Sequence, residues 1–137
     1  MLFEKYVICE EGFGNLYDEK GTCVGFQFQM RLPYYRSVRL SLIDDITVIV
    51  DGRTFPRDSI TVTLSEGTFS LDEMLTMADH YWEFGEIGVV TVHCRKDYER
   101  MIIPEYNRVD VGIDLRIAYA DFRISTGKML RRTVNHG

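Results

Sequence analysis

The sequence predicts an all-β protein, an antiparallel β-sandwich or a flattened barrel with one short helix. Apolar residues recur at every second position through most of the chain, which is typical of strands with one buried face. The apolar rows are short and are separated by turn-forming residues, and the strand–long helix–strand rhythm of an α/β enzyme does not appear. A chain of 137 residues is most simply one domain, so we assign residues 1–137 to a single sandwich.

The sequence predicts five main strands. Four have alternating apolar rows that begin at Val24, Ile46, Ile60 and Val109, and the fifth, residues 89–94, is rich in β-branched residues and is expected to be a buried strand. The first row places Phe26 and Phe28 on a face opposite Gln27 and Gln29, as expected for a strand with one dry side. The second row leads into Asp51-Gly52, a pair that tolerates positive φ and predicts a tight hairpin. The last row, residues 109–119, is long enough to cross a whole sandwich.

One stretch predicts a helix, FSLDEMLTMA at residues 69–78. Ser70 precedes Glu73 by three residues, which is the spacing of a capping box. The apolar side of this helix would consist of Leu71, Met74, Leu75 and Ala78. The stretch is about two turns long, so we expect the helix to cover an open end of the β structure.

The charge pattern excludes one class of partner and leaves one segment open to two interpretations. A formal net charge of −5 argues against nucleic-acid binding, which requires a basic face. No acidic residue follows Asp121, whereas four basic residues do: Arg123, Lys128, Arg131 and Arg132. This segment is interpreted either as a solvated basic tail or as a tail that docks on an acidic partner.

The sequence favours a cytoplasmic protein. The N-terminus lacks the long apolar core of a signal peptide, and no apolar run approaches the ~18 residues of a membrane span. Cys9, Cys23 and Cys94 are an odd number without CxxC spacing, which is typical of reduced, partly buried thiols.

Catalytic and metal-binding motifs are missing from the sequence. His80, His93 and His136 lie too far apart for zinc spacing, and no GxSxG, P-loop or GxGxxG motif occurs. Glu83 and Glu86 would serve acid–base hydrolysis only if a cleft held them together, and otherwise are rim charges. A stand-alone hydrolase is therefore the weakest of three hypotheses, and we assign no catalytic residue and no metal ligand to this chain.

Aromatic and arginine residues at two strand breaks are the strongest functional signal. They are Tyr34, Tyr35, Arg36, Trp82 and Phe84. Tyr, Trp and Arg are enriched at hot spots of protein interfaces, aromatic faces stack on sugar rings, and Tyr and Trp also pack at the edges of cores. From the residues alone, a partner interface, the sugar platform of a free-standing carbohydrate-binding module, and core packing all stay open.

The same stretches resemble the small β subunit of the C-glycoside deglycosidases. The likeness runs from Phe3 to about Tyr119, and its specificity lies in the set rather than in any single motif. It is carried by Phe26, Arg31, Pro33-Tyr34-Tyr35-Arg36, Leu40-Ser41, Val50-Asp51-Gly52 and Trp82-Glu83-Phe84-Gly85-Glu86. One segment departs from the family pattern: residues 94–108, CRKDYERMIIPEYNR, are charged and lack glycine where the family is Gly- and Pro-rich.

This resemblance implies an accessory subunit of a carbon–carbon lyase. In such enzymes a larger α subunit, similar to a sugar-isomerase TIM barrel, holds the general base and a divalent metal, typically manganese. The substrate is a 3-oxo-C-glycoside, whose ketone acidifies the proton at C2 so that the aromatic aglycone leaves from C1 by elimination. The small subunit is a β-sandwich that stabilises the α subunit. We therefore expect Tyr34, Tyr35, Arg36, Trp82 and Phe84 to form or support the face that meets it.

Overall fold

A computed structural model describes residues 7–34, 36–94, 105–117 and 120–132 and shows two packed antiparallel sheets. The eleven strands of these residues, numbered along the chain, are β1 (Gly14–Tyr17), β2 (Cys23–Met30), β3 (Val38–Arg39), β4 (Ile43–Val50), β5 (Arg53–Thr54), β6 (Ile60–Leu64), β7 (Gly67–Ser70), β8 (Tyr81–Trp82), β9 (Gly88–His93), β10 (Tyr106–Ile117) and β11 (Ala120–Arg131). One α-helix, α1 (Leu71–Leu75), and two 3-10 turns, Leu40–Leu42 and Arg57–Ser59, complete the regular structure.

The sheets confirm the predicted sandwich and are not closed into a barrel. The first sheet has the strand order β1-β2-β9-β6-β7, and the second has the order β11-β10-β4-β5. A separate two-stranded piece pairs β3 with β8. No helix of the described residues has the length and apolarity needed to cross a membrane.

The predicted apolar rows form the core between the two sheets. The side chains of Phe26, Phe28 and Met30 in β2 are fully buried, as are the alternate residues of β4 and β10. The Asp51-Gly52 hairpin is confirmed: Val50 pairs with Arg53, and the two turn residues have φ values of 50° and 83°. These positive values at both central positions are those that an Asp-Gly turn supplies.

The helix is confirmed in place but is shorter than predicted. Ser70 Oγ accepts a hydrogen bond from the Glu73 amide at 3.1 Å, and Glu73 Oε1 accepts one from the Ser70 amide at 3.0 Å, completing the capping box. The helix ends at Leu75, which is 38% exposed, and Ala78 lies beyond it on the surface. The prediction that Leu75 and Ala78 would be buried was wrong, because the chain leaves the helix before a second apolar turn forms.

The basic segment after Asp121 is a strand and not a tail, contrary to prediction. β11 pairs with β10 along its whole length, from Ala120 opposite Ile117 to Arg131 opposite Tyr106. Its basic side chains are held by acidic partners: Arg123 by Asp114, Lys128 by Glu10 and Arg131 by Glu105. Residues 133–137 and the charged stretch 95–104 lie outside the described residues.

Candidate functional interaction surface

The two strand breaks singled out from the sequence meet at one end of the sandwich. Met30, the last residue of β2, pairs with Gly88, the first residue of β9, so the segment before β9 lies beside the segment after β2. The short β3–β8 pair joins them further, with Val38 opposite Trp82. Ser37 Oγ donates a hydrogen bond to the Glu83 carboxylate. Sequence reasoning identified both breaks but not their contact.

Trp82 lies in the core and does not reach the surface. Its side chain is 0% exposed, and its indole Nε1 donates a hydrogen bond to the Glu86 carbonyl at 2.8 Å. The packing around it is tight, since a Cβ added to Gly88 would lie 2.6 Å from the indole ring. Trp82 was predicted either to form the interface or to support it. A buried side chain cannot contact a partner directly, so Trp82 can only support the residues that do.

Phe84 stands at the corner of a turn that Trp82 and its neighbours hold in place. The Glu86 amide donates to the Glu83 carbonyl at 3.0 Å, and Gly85 has φ of +77°, as a type II turn requires at its third position. Phe84 is 61% exposed, and the following Ile87 is 42% exposed. The turn therefore presents two apolar side chains to solvent on a fixed backbone.

Glu83 and Glu86, the carboxylates of the hydrolase hypothesis, are both used to hold this turn. Glu86 Oε1 accepts from the Glu83 amide at 3.1 Å, and Glu86 Oε2 accepts from the Ser65 amide at 2.9 Å. Glu83 accepts from Ser37, whose hydroxyl oxygen also accepts from the Phe84 amide at 3.4 Å. These contacts favour a structural role for both carboxylates over acid–base catalysis.

The other residues predicted for the interface are Tyr34, Tyr35 and Arg36, in the segment beside the Glu83–Glu86 turn. Tyr34 is half-buried and packs against the core, and Arg36 is exposed. Tyr35 lies outside the described residues. We call the side chains of Tyr34, Arg36, Phe84 and Ile87 the Phe84 surface.

The other titratable and metal-binding residue types outside this turn have structural roles. Within the described residues, no group of three or more His, Cys, Asp or Glu side chains could hold a metal ion. His93 shares a 2.9 Å hydrogen bond with Thr61, which favours a structural role for it, and His136 is outside the description. None of the three cysteines, all of which lie in the described part of the chain, forms a disulfide. Burial raises the pKa of the Cys94 thiol, nearby Cys23 adds to the increase and Arg53 opposes it, so this thiol stays protonated at neutral pH.

Fold and surface together define a two-sheet antiparallel β-sandwich with an exposed apolar turn at one end. The chain matches the family described as C-glycoside deglycosidase beta subunit over residues 3–119, and it belongs to that family. The match includes both segments of the Phe84 surface.

Curated relatives carry the same description. The chain is 38% identical over 89 residues to the C-glycoside deglycosidase beta subunit of Eubacterium cellulosolvens, covering 65% of this chain and 60% of that protein. It is 33% identical over 93 residues to a protein of the same name from Microbacterium trichothecenolyticum, covering 66% of each. It is 30% identical over 81 residues to the 3'-dehydrocarminate deglycosidase beta subunit of a Microbacterium species, covering 59% and 57%. The matches thus span less than two thirds of these relatives.

Proposed function

We propose that this chain is the small subunit of a heteromeric C-glycoside deglycosidase and stabilises a larger catalytic α subunit. The observation that carries the proposal is the family match over residues 3–119. In the proposed complex, the α subunit is a TIM-barrel-type protein that holds the general base and a divalent metal, manganese by expectation. The complex cleaves the carbon–carbon bond between the sugar and the aglycone of a 3-oxo-C-glycoside.

The uses of this chain's own reactive groups support an accessory role. Glu83 and Glu86, the two candidates for acid–base chemistry, hold a turn. Burial raises the pKa of the Cys94 thiol, which favours its less reactive protonated form. Elimination from an acidified C–H requires a base and charge stabilisation in one cavity. The proposal assigns both to the α subunit. The reduced state of the three thiols supports the cytoplasmic location that the proposal also assigns.

The Phe84 surface has the physical features of an interface anchor. Phe84 is exposed on a turn whose conformation is set by Trp82, Gly85 and Glu86 before any partner binds. A side chain held in this way loses little conformational freedom on association, so more of its burial free energy appears as affinity. We therefore propose that Phe84 and its neighbours Tyr34 and Arg36 contact the α subunit, with Tyr35 as a further contact.

A tagged pull-down of the chain from its native cell tests the proposed function. We expect one larger partner at stoichiometric yield, and carbon–carbon cleavage of a 3-oxo-C-glycoside that needs both chains. Recovery of the chain alone, as a stable monomer that binds saccharides, would contradict the proposal and support the free-standing carbohydrate-binding module instead. Hydrolysis by the pure chain that is lost in Glu83→Gln and Glu86→Gln would support the hydrolase.

Replacing Phe84 with alanine is expected to weaken the heteromer by about 2 kcal/mol, because a central aromatic anchor loses its buried contact. The dissociation constant is measured by titrating the purified α subunit with each variant. Tyr17→Ala is a matched control, since Tyr17 is 55% exposed and lies at the end of β1 that pairs with Cys23, far along β2 from Met30. Equal affinities for the two variants would place the interface elsewhere.

A further inference from the structure

A polar groove opens beside the Phe84 surface. Its volume is about 320 Å³, and Ile87 lines it together with five polar side chains: Glu10, Glu11, Gln29, Arg31 and Lys128. Ile87 belongs to both features, so the groove and the Phe84 surface are continuous. A partner that covers Ile87 would therefore also contact the groove.

Arg31 lacks a carboxylate partner within the part of the chain that the structure describes. Its Nη1 donates to the Cys9 thiol sulfur at 3.4 Å, and sulfur is a weak acceptor. A guanidinium carries five N–H donors, so most of this one's hydrogen-bonding capacity is unused. Other arginines of the protein are paired with carboxylates: Arg57, Arg108, Arg116, Arg123 and Arg131.

The groove holds Arg31 on a rigid frame. The Arg31 amide donates to the Val7 carbonyl at 2.7 Å, the Cys9 amide donates to the Gln29 carbonyl at 2.9 Å, and Ile8 forms a β-bridge with Met30. The side chain is partly buried. The backbone on both sides of Arg31 is therefore fixed, and the hydrogen bond to Cys9 holds the guanidinium at the groove, so less conformational freedom is lost when a partner binds.

The neighbouring charges leave Arg31 as the group that an anion would meet. Lys128 Nζ lies 3.2 Å from Glu10 Oε1, so these two residues offset each other. Glu11 is exposed at the rim. A carboxylate entering the groove would be attracted by the Arg31 guanidinium and by Lys128, and repelled by Glu11. It would bind Arg31 and avoid Glu11 only if it is held in a defined position. A side chain of a docked protein is held in that way, whereas a free ion is not.

We propose that this groove receives an aspartate or glutamate side chain of the α subunit, which forms a two-point ion pair with the Arg31 guanidinium. The planar fork of arginine matches the geometry of a carboxylate, and such paired hydrogen bonds are stronger than those between neutral groups. The inference rests on the proposed function, since it needs an α subunit, and it adds the kind of residue that this subunit presents. Arg31 thereby extends the interface beyond the residues expected from the sequence.

The test compares the affinity of three variants for the α subunit recovered in the pull-down. Arg31→Gln should raise the dissociation constant about tenfold or more, and Arg31→Lys should recover only part of the loss because an ammonium group has no planar fork. Lys20→Gln is the charge-matched control: it also removes one positive charge, and Lys20 lies in the turn before β2, at the end of that strand opposite Arg31. It should bind as the wild type does.

The salt dependence provides a second readout that a folding defect would not change. Raising the ionic strength should weaken wild-type binding more than Arg31→Gln binding, because the variant lacks the ion pair. Circular dichroism and thermal unfolding identify a variant that does not fold, and in that case the Arg31→Lys comparison decides. Wild-type affinity and salt dependence in both Arg31 variants would overturn the inference while the heteromer itself still forms. Failure of the wild-type chain to form any heteromer would instead refute the proposed function.

Discussion

Replacing Trp82 with alanine is expected to lower the free energy of unfolding of the chain by about 3–5 kcal/mol. The indole is fully buried and packs against Gly88, and its N–H satisfies the Glu86 carbonyl. Alanine would leave a large cavity and an unpaired carbonyl at the base of the turn that carries Phe84. The loss should therefore appear in the isolated chain, before any partner is added.

Urea denaturation followed by far-UV circular dichroism measures this effect. Tryptophan fluorescence is unsuitable because Trp82 is the only tryptophan of the chain. Trp82→Phe is the matched control, because it keeps an aromatic ring and loses only the indole N–H and part of the ring volume. Its free energy of unfolding should therefore decrease clearly less than that of Trp82→Ala. If Trp82→Ala left the unfolding free energy unchanged and reduced only the affinity for the α subunit, Trp82 would be a contact residue and its buried position here would be contradicted.

Trp82 and Phe84 show how one aromatic cluster divides into two roles. The residues are two positions apart, but Trp82 ends β8 and faces the core, whereas Phe84 lies in the turn that follows and faces solvent. Glu86 connects the two, since its carbonyl accepts from Trp82 and its carboxylate accepts from the Glu83 amide. A defect in the core at Trp82 should therefore also weaken the interaction surface, although the indole touches no partner.

Local patterns explain which parts of this fold were predictable. The period-two rows of β2, β4 and β10 alternate from Phe26, Ile46 and Val109 onward, and most of the side chains that they place inward are buried. Val24, which was predicted to share the inward row of Phe26, is 36% exposed. The Asp51-Gly52 hairpin and the Ser70–Glu73 capping box depend on residues within a few positions of each other. Such features are determined by short stretches of sequence, so they can be predicted without knowledge of the tertiary structure.

β11 could not be recognised in this way, because its row of inward side chains is interrupted by polar residues and its strand conformation depends on pairing with β10. The row includes the buried Ile124 and Leu130, but Thr126 and Lys128 stand between them. This mixture is tolerated because β11 is the last strand of its sheet among the described residues, and Lys128 reaches Glu10 at the side of the sandwich. The sequence left the burial of Trp82 open for a related reason: Val38 and Gly88, which lie beside it, come from other segments.

The sequence singled out residues 34–36 and 82–84 but not the contacts between their segments. The structure joins the two segments through Ser37 and Val38, which directly follow residue 36. The groove around Arg31 depends on Glu10 and Lys128, which lie 118 positions apart and are joined only by the fold (128 − 10 = 118). No local pattern in the sequence marks such a juxtaposition.

Replacing Gly25 with alanine is expected to lower the free energy of unfolding by about 3 kcal/mol or more. Gly25 follows a bulge in β2, where the register against β1 shifts between Leu16 and Tyr17. Its φ is +156°, and a Cβ at this position would lie 2.1 Å from the Val92 carbonyl oxygen of β9. The contact is with backbone and not with a flexible side chain, so backbone strain and steric overlap add, and relief requires the β2–β9 pairing to move.

Gly21→Ala is the control that separates these two contributions. Gly21 also has a positive φ, +81°, but nothing lies within 4 Å of its added Cβ, so only the backbone strain of about 1–2 kcal/mol is expected. Both variants are measured by urea denaturation of the isolated chain. Equal losses would show that the approach of Val92 to Gly25 is not a constraint on the sheet. A much larger loss at Gly25 would show that the bulge fixes the pairing of β2, the strand that leads directly to Arg31 and Tyr34.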